Sequence, residues 1–302
     1  MTGRNLTINN SRFINNSAKS YGNIFFGGSI NINSSIFINN FAERGGVVYS
    51  SSGFINISNS EFDNNFARGE NISYGGCIYA EGYYNQSIDI TNSKFTNNFV
   101  ISNRDCYGGC IFGGKYVNIT NTEFTNNSAQ SKTNTSYSGV IWTSYLSLNN
   151  STFVNNSGPS SIIQSTVLIM SDSFIEGNIA EYRAIIKATN STVTNSCISN
   201  NHGRYGILYT EKGQISNSKF KNNIAGKSAG VTADNISIFN STFTDNIGNF
   251  AGAVLSINAI ISDSNFTNNQ GYLSKDIIAL TPLNSINNLF DDAKVYKSWG
   301  CE

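Results

Sequence analysis

Residues that interrupt strands, and residues that do chemistry, are both scarce in this chain. Proline occurs only at Pro159 and Pro282, so long stretches are free to donate every backbone N–H to a strand partner. Charged residues make up 13% of the chain, about half the usual share, and 19 Lys and Arg balance 19 Asp and Glu. That balance leaves no basic stripe for nucleic acid and no polybasic cluster for anionic lipid. No apolar run approaches a membrane-spanning helix, so no membrane-spanning segment is expected. The opening residues, Met1-Thr2-Gly3-Arg4-Asn5, hold no apolar core of a signal peptide. The five cysteines show no Cys-x-x-Cys spacing, and neither a phosphate-cradling loop nor a calcium nonapeptide occurs. No metal and no cofactor is therefore expected.

Asparagine and serine fill the space, at 48 and 42 residues. Their placement is regular. Asn217-Ser218-Lys219-Phe220-Lys221-Asn222-Asn223 recurs in close variants from Asn10 to Asn16 through Asn240 to Asn246. Its landmark aromatic falls at Phe13, Phe37, Phe62, Phe95, Phe124, Phe153, Phe174, Phe220, Phe243 and Phe266, with Ile198 between Phe174 and Phe220. The interval is roughly 22 to 25 residues, the signature of a repeat architecture.

Each repeat carries three short apolar runs. The first alternates, as in Ile55 and Ile57 before Phe62, Ile88 and Ile90 before Phe95, or Val167 and Ile169 before Phe174. Period two means a strand with one buried face. The landmark is the second run, and its outward neighbours Glu61, Lys94 and Glu123 alternate in sign in successive repeats. The third follows a glycine pair, as in Gly75-Gly76-Cys77-Ile78-Tyr79. Runs recurring at one interval without paired hairpin-turn signals exclude a meander of hairpins. The expected fold is all-β, a right-handed single-stranded parallel β-helix of the pectin-lyase type. It should have three strands per coil and about eleven coils, in a monomeric rod of roughly 50 Å. The Asn pairs after the landmark, among them Asn64-Asn65, Asn97-Asn98, Asn126-Asn127 and Asn222-Asn223, should supply left-handed turn residues and stacked amides. At one repeat the pair reads Glu176-Gly177. Phe62, Phe95, Phe124, Phe220 and Phe243, with Asn65, Asn98, Asn127 and Asn223, are therefore scaffold residues.

The β-helix is expected over 1–281, and 282–302 as a degenerate cap or a truncated continuation. Since the first repeat starts almost at Met1, the chain reads as a fragment, or as a gene model lacking its start. Repeats beginning at Phe62, Phe95 and Phe124 run to roughly 29–33 residues against about 23 elsewhere. The extra residues lie in Ala67–Tyr74, Val100–Tyr107, Ala129–Tyr137 and Glu81–Ser87. Stacked insertions between 67 and 137 should make a lateral protrusion rich in aromatics. Tyr74, Tyr83, Tyr84, Tyr107 and Tyr137 are the candidate ligand-binding patch there. Tyr49, Tyr79, Phe112, Trp142 and Tyr209 read as an ordinary aromatic stack. Cys77 and Cys110 occupy equivalent positions and are either small core residues or a disulfide.

No catalytic residue is expected. Glycoside hydrolysis needs two facing carboxylates, and the only adjacent acids, Asp291-Asp292, lie in the tail. His202, the sole histidine, stands where other repeats place a surface turn residue. Arg104 and Asp105 read as loop partners.

The motifs resemble the repeat of the polymorphic outer membrane protein family, which alternates Gly-Gly-small-aliphatic-Tyr with Phe-x-x-Asn. Gly45 to Tyr49, Gly75 to Tyr79 and Gly108 to Phe112 match the first element. Phe13 to Asn16, Phe62 to Asn65, Phe220 to Asn223 and their counterparts match the second. The resemblance implies a secreted or cell-surface adhesin-like protein that is not an enzyme. Its partner would be a glycan or protein on another cell surface, or it would act as a structural spacer. A carbohydrate-active β-helix enzyme, lyase or hydrolase, is the alternative.

Overall fold

A computed structural model describes residues 5–81, 86–132, 135–281 and 283–295. Every named strand pairing is parallel, no described residue is helical, and equivalent residues of successive repeats stand in register. The chain is a parallel β-helix. It divides into two compact units, Met1–Thr166 and Val167–Glu302.

In the first unit each repeat lays one strand on each of several columns. The alternating run forms one column, where Ile55–Ser58 pairs with Ser29–Asn33 on one side and Ser87–Thr91 on the other. The landmark strand forms a second, in which Phe62 lies opposite Phe37 and Phe95. A column not anticipated from the three runs follows the Asn pair: Phe41–Ala42, Phe66–Gly69, Phe99–Ser102 and Ser128–Ser131. The glycine-led run makes the last, with Val48–Ser50, Ile78–Ala80 and Ile111–Gly113. Both glycines of the pair are required. Gly75 sits at φ +54°, and a Cβ on Gly76 would stand 2.0 Å from the carbonyl oxygen of Gly109 one repeat on. In the second unit the glycine-led and alternating runs fuse into nine-residue strands such as Leu208–Ser216 and Val231–Phe239.

The core is a file of rings. Phe37, Phe62, Phe95, Phe124 and Phe153 are fully buried and stack with centroids 4.6–4.9 Å apart; Phe220, Phe243 and Phe266 do the same at 4.8 Å. The Asn pair divides its labour. Asn64, Asn97 and Asn126 take φ of 52–56° and turn the chain. Asn65, Asn98 and Asn127 are buried, and each donates its Nδ2 to the next amide oxygen and to a landmark carbonyl of the preceding repeat. Asn223 repeats this with Asn246 and Ile198. A second ladder accompanies it. Ser60, Ser93 and Thr122 each turn a hydroxyl to the carbonyl two residues back and accept a backbone N–H from the preceding repeat.

Three expectations are corrected. Phe174 is not a landmark: it pairs with Cys197 and is 52% exposed, whereas Ile175 is buried opposite Ile198. The frame before it shifts likewise, so Leu168 and Met170 face inward in place of Val167 and Ile169. The turn pair there is Gly177-Asn178, with Gly177 at φ +65° and Asn178 in the buried ladder, rather than Glu176-Gly177. Cys77 and Cys110 are buried free thiols in register, in the column that Val47 and Val140 also fill. In the tail, Asn284–Ile286 and Ala293–Val295 add parallel strands, and Phe290 packs 5.0 Å from Phe266 as one more landmark.

Candidate functional site: a tyrosine ladder on the first unit

The insertions build their own sheet. Ile72–Tyr74, Asp105–Tyr107 and Thr135–Ser136 pair in parallel, over a small core of Ala67, Val100, Cys106 and Ala129. This column lies within 67–137, the stretch of the longer repeats. Its sheet carries Tyr74 and Tyr107 onto the rings that end the glycine-led run. Tyr49, Tyr79 and Phe112 are buried, because a second layer lies over them. Tyr74 stands 4.9 Å from both Tyr79 and Phe112, and Tyr107 stands 5.1 Å from Phe112. Trp142 extends the inner row, 4.9 Å from Phe112.

The outer layer is a ladder in its own right. Tyr74 stacks on Tyr107 at 5.0 Å, and Tyr107 on Tyr137 at 4.4 Å with planes 3° apart. At the other end Arg44 bridges the backbones of Tyr21 and Tyr74. Its guanidinium lies 5.8 Å from the Tyr21 ring and 5.5 Å from the Tyr74 ring. Each such contact stabilises by about 0.5–1 kcal/mol at an exposed site. The row is Tyr21, Arg44, Tyr74, Tyr107 and Tyr137. Its ends are open, with Tyr21 41% and Tyr137 45% exposed, while Tyr74 and Tyr107 are half-buried. Rings in the middle have given their faces to neighbours, so they offer edges.

Burial keeps the inner phenols, Tyr74 and Tyr107, neutral. Burial pushes the Tyr107 hydroxyl up, and the neighbouring Tyr137 adds to the shift. Burial also raises Tyr74, against the pull of Arg44. Tyr49 is raised by burial and by donating its hydroxyl proton to the Glu81 carboxylate. The row can therefore stack and donate hydrogen bonds beside one fixed positive charge.

Of the sequence candidates, Tyr74, Tyr107 and Tyr137 come together, and Tyr83 and Tyr84 lie outside the described residues. Tyr116 and Tyr145, also in the aromatic stretch, form a separate stack at 5.0 Å on the alternating column. Tyr209 leaves the expected inner stack, since it pairs with Lys187 and Thr232 in the second unit. Tyr21 and Arg44 were missed, although a signal existed. Each directly precedes a glycine, Gly22 and Gly45, as Tyr74 and Tyr107 precede Gly75 and Gly108. In the second unit Lys227 and Phe250 precede the small pairs Ser228-Ala229 and Ala251-Gly252, and the Lys227 ammonium lies 4.9 Å from the Tyr205 ring.

The other chemistry-bearing residues are dispersed. His202 is exposed on a short strand between Ile179 and Ile224, not in a turn. Asp291 and Asp292 donate backbone N–H groups to the buried Asp276 carboxylate, whose proton affinity burial raises. Arg104 and Asp105 both donate backbone N–H groups to the Asn71 carbonyl. Among the described residues no three His, Cys, Asp or Glu side chains are grouped to hold a metal ion, and no helix is long and apolar enough to cross a membrane. No protein-family model, curated protein or solved structure matches this chain.

Proposed function

We propose that this chain is a non-enzymatic, adhesin-like surface protein whose β-helix presents the tyrosine ladder to a glycan or protein on another cell. The observation that carries the reading is the ladder itself. Where insertions lengthen the repeat, Tyr74, Tyr107 and Tyr137 stack over the inner rings, and Tyr21 and Arg44 continue the row from repeats without insertions. Tyrosine and arginine are among the residue types enriched in recognition patches, because each combines contact area with hydrogen bonding. The repeat motifs shared with the polymorphic outer membrane proteins support display outside the cell.

The test is binding of the purified chain to glycan arrays and to intact cells, compared with a Tyr21→Ala/Arg44→Ala/Tyr137→Ala variant. Tyr21 touches the Tyr49 ring, Arg44 the Tyr74 ring and Tyr137 the Tyr107 ring, so circular dichroism must first show the variant folded as the parent is. Loss of tenfold or more in affinity is expected, since an aromatic hot spot is worth about 2 kcal/mol or more. Unchanged binding would remove the ladder from the interface. Release of reducing or unsaturated sugars from a polysaccharide panel would instead favour the carbohydrate-active alternative.

A further inference from the structure

The first unit has a second feature, at the corner between the alternating and landmark columns. A groove of about 800 Å³ runs there across successive repeats. One wall is the column of left-handed asparagines, Asn59, Asn92 and Asn121, at φ of 47–49°. The other is Glu61, Lys94 and Glu123, which stand in register. Lys94 and Glu123 approach to 3.8 Å with both side chains about half exposed. The floor is the serine and threonine ladder, whose hydroxyls are turned inward to carbonyls.

We infer that this groove binds an extended, uncharged glycan chain. Its backbone is spent: Asn92 and Lys94 donate their N–H groups to Thr120 and Ser60 in the neighbouring repeats. A peptide therefore finds no free strand edge to pair with. No aromatic or large apolar anchor lines it beyond Ile36 at one end, so it lacks the pocket a protein hot spot needs. What remains are planar amides and carboxylates. Asn121 Nδ2 donates to Asn92 Oδ1 at 3.1 Å, and this uses one amide proton and leaves the second. Amide N–H groups, carboxylate oxygens and an ammonium in alternation can meet vicinal hydroxyls as both donor and acceptor. The charged wall reads minus, plus, minus, which disfavours an anionic polymer.

Spacing supplies the second reason. The groups repeat at one strand spacing, roughly 4.8 Å. A chain of equatorially linked pyranose rings advances by about that distance per sugar, so one sugar can address one repeat. Five repeats line the groove, from Ser34 to Thr152. The inference does not rest on the tyrosine ladder, which lies on other columns.

The experiment titrates the intact chain with β-1,4-linked gluco-, xylo- and manno-oligosaccharides of two to six units, read by calorimetry and by amide NMR shifts. Affinity in one series should rise with each added sugar to four or five units and then level. A Glu61→Ala/Lys94→Ala/Glu123→Ala variant, changed only at exposed side chains, should bind that series at least tenfold more weakly. The Tyr21→Ala/Arg44→Ala/Tyr137→Ala variant should bind it as the parent does. Absence of binding across all three series, affinity independent of length, or an unaffected groove variant would each overturn the assignment. Loss only in the ladder variant would move the sugar to the tyrosines.

Discussion

Asn98 donates its backbone N–H to Asn127 Oδ1 at 2.9 Å and its side-chain amide to the Phe62 carbonyl at 2.8 Å. Its own oxygen accepts the backbone and side-chain N–H groups of Asn65. Asn97, one residue earlier, bonds only the exposed Asp63 carboxylate through its side chain. It matters for its backbone instead, at φ +55°. The two substitutions should separate these jobs. Asn98→Ala removes a donor from the Phe62 carbonyl and strands two Asn65 donors in the interior, at a cost of about 3 kcal/mol or more. Asn97→Gly keeps the left-handed turn and should cost about 0.5 kcal/mol or less. Urea midpoints measure both, and equal losses would refute the division. The motif Phe-x-x-Asn announces that a turn and a ladder are needed, and that much is legible from sequence. Which asparagine does which is not, because the distinction lies in φ and burial rather than in residue type.

Strand register decides more than composition at Phe174 and Ile175. An aromatic surrounded by the usual motif reads as the landmark, yet the chain buries Ile175 and leaves Phe174 half exposed. Side chains alternate faces in a strand, so a slip of one residue exchanges the whole inward set. The neighbours decide the register. Leu168 and Met170 are inward under it, and Gly177 and Asn178 then occupy the turn and ladder positions. The sequence offered apolar residues in both frames, from Val167 to Met170 and again at Phe174 and Ile175, and proximity to an aromatic favoured the wrong one. Ile175→Ala should therefore cost about 2–5 kcal/mol, as for a buried aliphatic side chain, and Phe174→Ala well under half of that. Chemical denaturation of the two variants would expose a reversed order, and a reversed order would restore Phe174 to the core. The ladder was half-legible for a related reason. Insertion lengths marked the stretch that carries Tyr74, Tyr107 and Tyr137, but Tyr21 and Arg44 stand in repeats without insertions, where only the glycine after each links them to it.

At the scale of the molecule, a strand's partners are its equivalents one repeat before and one repeat after it. Backbone bonds, Asn ladder, serine ladder and ring file all run in that single direction, from Asn65 to Asn98 to Asn127 and from Phe62 to Phe95 to Phe124. Stability in such an array is a sum of repeat terms and nearest-neighbour terms, so damage decays with distance along the chain. Regularity is also why the fold is easy to read and the function is not. Nine copies of Phe-x-x-Asn fix the architecture, whereas any column of outward side chains could serve as a binding surface. Phe95→Ala tests the additive picture. It removes a fully buried ring between Phe62 and Phe124 and should cost about 3–5 kcal/mol. Hydrogen exchange should then show lost amide protection in the repeats around Phe62, Phe95 and Phe124, and unchanged protection around Phe220 and Phe243 in the second compact unit. Uniform loss across both units would mean that the repeats unfold as one cooperative body, and the nearest-neighbour account would fail.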